Sequence, residues 1–94
     1  MENKRNHINR LYIRFTADKR VNVWHISLYH AILHLWETGG QQNKVRISRK
    51  TLMALAHFNS IVTYHKCIGQ LQEMGYIIYR PNYDCYAGSW IEIK

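Results

Sequence analysis

Apolar residues recur at helical spacing in three stretches of this chain and mark three short strand-like runs. The longest helical stretch runs from about Val23 to Thr38. There Leu28, Ala31, Ile32 and Leu35 form one stripe, and Tyr29, Leu33 and Trp36 widen it to a second face. Asn22 precedes it as an N-cap, its side-chain oxygen suited to accept an amide of the first turn. Gly39 and Gly40 end it, since glycine tolerates the left-handed conformation that closes many helices. A helix apolar on nearly two faces must be covered on both, and the second cover is either the N-terminal arm or a partner subunit. Within the arm, Ile8, Leu11, Tyr12 and Phe15 fit helical spacing, while Leu11, Ile13 and Phe15 fit strand alternation. Both readings stay open, with helix slightly preferred.

Further along, Lys44-Val45-Arg46-Ile47 alternates polar and apolar and predicts a short strand. Ser48 then caps a second helix, Arg49 to about Ala56, with Leu52, Met53, Leu55 and Ala56 facing inward. His57-Phe58-Asn59 makes a tight turn, and Ser60 or Asn59 caps a third helix from Ile61 to Met74. Tyr64, Cys67, Ile68, Leu71 and Met74 form its buried stripe; Val62, Thr63, His65, Lys66, Gly69, Gln70 and Glu73 point outward, and Gly75 stops it. Tyr76 to Arg80 and Ser89 to Ile93 read as paired strands around a polar, aromatic loop at 81–88. Helix, strand, helix, turn, helix, strand, loop, strand is the order of a winged helix-turn-helix, an α+β fold. The expected architecture is a three-helix core with a small antiparallel β-wing over 21–94, preceded by a basic N-terminal arm at 1–20. A chain of 94 residues holds one core and no more.

Composition fits a packed domain, because 47% of residues are hydrophobic and a disordered chain would hold fewer. No uninterrupted apolar run reaches the roughly 18 residues of a membrane span, and the polar start MENKRNHINR lacks a signal-peptide core, so a cytoplasmic location is expected. Cys67 and Cys85 are expected buried or free rather than bridged. The net charge of +7 attracts polyanions, and its distribution sharpens the point. Residues 1–20 carry six bases and two acids. Lys44, Arg46, Arg49, Lys50 and Lys66 stand in a stretch with no acid at all.

That second basic block overlaps the helix-turn-helix, whose third helix would enter the major groove while the second crosses the backbone. Its outward residues suit that role. Ser60, Thr63, His65, Lys66 and Gln70 are short, polar or cationic, and Lys66 reaches either a guanine edge or a phosphate. Ser48, Arg49 and Lys50, with Thr51, open the second helix and are read as a phosphate clamp. Cations there run against the usual preference for acids at helix starts, which suggests that they serve a partner. Arg80, Asn82, Tyr83 and Tyr86 flank or occupy the wing loop, where backbone contact and simple packing are about equally good readings. Double-stranded DNA is therefore the expected partner.

Longer strings resemble a known family. Arg20 to Trp36, with its core Trp24-His25-Ile26-Ser27-Leu28-Tyr29, and Ile47-Ser48-Arg49-Lys50-Thr51-Leu52-Met53-Ala54-Leu55-Ala56 are similar to short proteins of bacterial mobile elements described as transcriptional regulators. Thr63-Tyr64-His65-Lys66-Cys67, Gly75-Tyr76-Ile77-Ile78-Tyr79 and Gly88-Ser89 extend the resemblance over about residues 18–90. It implies a winged-helix DNA-binding protein tied to element regulation, excision or replication. Where relatives carry Asn-Pro before Trp-His, this chain has Asn22-Val23, a change of helix capping that leaves the implied function intact.

Other readings are weaker. His30 and His34 stand four apart on one helix, yet no His-Glu-x-x-His or Cys-x-x-Cys string accompanies them, so no metal site or other cofactor is expected. The six acids are scattered and no glycine-rich phosphate loop is visible, so no enzyme is expected. The serious rival is a winged helix serving protein–protein contact in a replication or recombination complex, which would expose an apolar patch on the third helix. A homodimer through Tyr29, Leu33 and Trp36 of helix 23–38 is a further expectation.

Overall fold

In a computed structural model, which describes residues 4–40, 42–81 and 88–94, the chain forms four helices and one antiparallel sheet. The α+β class is as expected, and the element order is compatible with a winged helix-turn-helix. Helix α1 spans Lys4–Thr16, α2 Val23–Gly39, α3 Arg49–Ala56 and α4 Ile61–Glu73; strand β1 is Lys44–Ile47, β2 Ile77–Arg80 and β3 Ser89–Ile93.

Residues 4–16, read above as part of a basic arm, form a helix that enters the core. Ile8, Leu11 and Phe15 are buried on one side of α1, and Phe15 stacks on Tyr29 with ring centres 4.2 Å apart. His7 lies edge-on to Trp36, and the Tyr12 hydroxyl bonds His30 Nδ1. This helix is the second cover that α2 requires. Tyr29, Leu33 and Trp36 are consequently buried within one chain, and the dimer expected through them has no surface there.

Helix α2 is the hub, packing on α1, α3, α4 and β1. Its start is a capping box: Asn22 Oδ1 accepts from the Trp24 and His25 amides, while His25 Nδ1 accepts from the Asn22 amide. Its end departs from expectation. Gly40 adopts an extended conformation (φ −78°, ψ 157°), so left-handed freedom is not what the position needs. A Cβ there would stand 2.3 Å from the Trp36 ring and 2.9 Å from the Lys44 carbonyl. Close approach selects glycine at 40. Gly75, by contrast, follows α4 at φ 85° and supplies the left-handed stop predicted for it.

Strand β3 lies between β1 and β2, with Val45 opposite Ile91 and Ile77 opposite Ile93. Those residues face the helices, together with Ile47. Helix α3 buries Leu52 and Ala56; Leu55, expected inward, is exposed because it falls off that narrow stripe. Among the described residues no helix is long and apolar enough to cross a membrane.

Candidate nucleic-acid interface

The turn between α3 and α4 is set by two residues. His57 takes the left-handed conformation (φ 61°) that ends α3, and Phe58 tucks into the core behind it. Phe58 meets Trp24 of α2 at 5.3 Å and Tyr64 of α4 at 6.4 Å, both edge-on. This aromatic wedge fixes how α4 leaves the turn. The Ser27 hydroxyl adds a bond of 2.6 Å to the Ala56 carbonyl, tying α2 to the end of α3.

Both serines expected at the interface serve first as helix caps. Ser48 Oγ accepts the Thr51 amide at 3.1 Å and donates to Thr51 Oγ1 at 2.9 Å; Ser60 Oγ accepts the Thr63 amide at 3.2 Å. Arg49 and Lys50 are exposed in the first turn of α3, and neither α3 nor α4 carries an acid in its first turn. His65 and Lys66 are exposed on α4, whereas Thr63 is half-buried. Thr63, Lys66 and Gln70 come together with Asn22, Trp24 and Cys67 around a groove of about 310 Å³ between α4 and the start of α2. The Arg49 charge reaches Tyr64 of α4, where it slightly opposes the burial that pushes that phenol well above its ordinary range.

Gln70 differs from expectation in having its carbonyl oxygen already engaged. With Nδ1 of His25 accepting in the capping box, Nε2 carries the proton and donates to Gln70 Oε1 at 2.7 Å. Gln70 thus anchors α4 to the buried end of α2. Burial also raises the Cys67 thiol, with Lys66 partly opposing it, and Cys67 is free. Arg80 is set apart from this groove. It ends β2 on the sheet and binds Glu92 at 3.2 Å. Asn82, Tyr83 and Tyr86 lie outside the described residues.

Sequence reasoning missed two contributors. His25 escaped because a capping box is ordinarily sought with Glu or Gln at the third helical position, and histidine fills that place here. Trp24 was visible only as part of a family string; the residue is 49% exposed and stands at the α4 groove. The start of α4 is also more apolar than a polar groove-reading helix requires, with Ile61 46% and Val62 79% exposed. Among the described residues no three of His, Cys, Asp or Glu gather as a metal site would require. Comparisons with known protein families, curated proteins and solved structures found no match.

Proposed function

We propose that this chain is a winged helix-turn-helix protein that binds double-stranded DNA in the cytoplasm, with residues 60–74 in the major groove and residues 81–88 as a wing on the backbone. One observation carries the reading: along the acid-free stretch from Lys44 to Lys66, Arg49, Lys50, His65 and Lys66 all reach solvent on two consecutive capped helices. The sheet order β1-β3-β2, with its hairpin following α4, supports the winged form. Control of transcription or of a mobile element is the wider role proposed, and it rests on the sequence resemblance. No catalytic step is part of the proposal.

Fluorescence anisotropy with a generic duplex at about 50 and 200 mM salt tests it. Binding that weakens steeply with salt, and weakens further in Arg49→Gln and Lys66→Gln, is the expected result. Absence of binding at about 50 mM salt removes the proposal. The exposed Ile61, Val62 and Trp24 favour one second reading, a protein-docking module using the start of α4. Under that reading Val62→Ser abolishes partner capture and duplex affinity is negligible.

A further inference from the structure

Strand alternation sends Val45, Ile47, Ile77, Ile91 and Ile93 into the core and turns a second set of side chains to the outer face of the sheet. In that outer row Trp90 on the central strand pairs in register with Arg46 on one side and Arg80 on the other. Lys44 Nζ and Arg46 Cζ each lie 5.2 Å from a ring centre of the Trp90 indole. Such placement holds two cations over an aromatic face instead of extending them into water. Glu92 also lies on this face and is bound to Arg80 at 3.2 Å; among the described residues neither Lys44 nor Arg46 makes an ion pair. Beside Trp90 and Arg46 opens a groove of about 380 Å³, lined by Leu35, Thr38, Gly39 and Val45, a size in the range of small-ligand sites.

We propose that this face is a second nucleic-acid site, a platform for the unpaired nucleotides of a single strand. Its chemistry matches a nucleotide at both ends: a half-buried indole with the Arg46 guanidinium plane held over it to stack with a base, and cations in no ion pair among the described residues for the adjoining phosphates. An acidic peptide would engage the cations and leave the indole and the groove unused. A duplex cannot use the platform either, because its bases are already stacked on one another. Trp90 is thus the residue that separates a single strand from a double one, and the site lies on the sheet instead of on α3 and α4. It does not depend on the duplex-binding proposal.

The test is anisotropy with labelled twelve-residue oligothymidylate at about 50 mM salt, in the full chain. Trp90→Leu preserves the net charge and replaces the indole with a smaller aliphatic side chain, so the overall electrostatic attraction is retained while stacking is lost. Single-strand affinity should fall about tenfold, with duplex affinity within about twofold of wild type. Thermal melting checks that the variant folds. If it does not, Lys44→Gln with Arg46→Gln, both exposed, carries the test instead. That pair should reduce the slope of log affinity against log salt by about 1.4, two single-strand phosphates' worth. Oligothymidylate binding that is absent, that survives Trp90→Leu within about twofold, or that is lost equally in Lys66→Gln overturns the proposal. Single-strand binding without duplex binding removes only the earlier reading, and the converse removes only this one.

Discussion

Asp18, in the turn after α1, accepts hydrogen bonds from the Arg20 amide at 2.9 Å, the Arg20 guanidinium at 2.7 Å and the Tyr76 hydroxyl at 2.6 Å. The Arg20 guanidinium first, and Tyr76 next, hold its carboxyl far below the ordinary 3.8. The folded state therefore favours the ionised form. Its contribution is complete above the unfolded value and is lost as pH falls below about 4. Thermal melts between pH 6 and 2.5 should show midpoints dropping at the acid end, and Asp18→Asn should flatten that drop while lowering the neutral midpoint. An identical acid limb in the variant would exclude the turn as its source. Tyr29 behaves in the opposite sense. Burial pushes its phenol up to about 12, so stability is present below the unfolded value of 10 and falls as pH rises from 10 to 12. Its hydroxyl, like that of Tyr64, is buried with no hydrogen-bond partner among the described residues. Tyr29→Phe is expected to leave stability unchanged or raise it by about 1 kcal/mol, and to soften the alkaline loss. A destabilisation of more than about 1 kcal/mol in urea titration would mean that the hydroxyl is satisfied.

At the scale of elements, α1 matters most to the core. Removing residues 1–16 would strip Ile8, Leu11 and Phe15 from their contacts, about 5–9 kcal/mol of burial at the usual yield per side chain. That rivals the whole stability of an ordinary domain. The shortened chain should lose its cooperative melt or self-associate through the uncovered Tyr29, Leu33 and Trp36; circular dichroism and light scattering decide, and a wild-type midpoint would contradict the packing described. Ser60→Ala should cost about 1 kcal/mol through loss of the α4 cap, read as a shift in urea midpoint. Helices α2, α3 and α4 were legible because each has a polar cap and an apolar stripe of single period. Helix α1 was not, and Ile13 explains why: it sustained the alternating reading, yet it is 71% exposed, and without it Ile8, Leu11 and Phe15 describe one helical face. Gly40 was placed at the right helix end for the wrong reason, since the crowding of Trp36 and Lys44 around it is a tertiary fact.

For the molecule as a whole, charge governs the proposed association. If about six bases meet phosphates, log affinity for duplex against log salt should slope at around −5. A slope near zero in a salt series of binding isotherms would leave the basic surface without that role. The residue types of the α3–α4 surface could be read along the chain, because cations, hydroxyls and an absence of acids are one-dimensional facts. Their partners could not. That Gln70 is held by His25, that Thr63 and Lys66 share a groove with Trp24, and that Arg80 belongs with Trp90 all depend on elements brought together from distant positions.

The three tryptophans occupy three different settings. Trp36 is enclosed in the core, its indole donating to the Gln42 carbonyl at 2.9 Å; Trp24 stands at the α4 groove; Trp90 lies beneath cations on the sheet. Intrinsic emission consequently divides by location. Light from position 24 should be quenched by duplex, light from position 90 by a single strand, and light from position 36 should change only on denaturation, so that variants keeping one indole apiece turn the molecule into its own optical map.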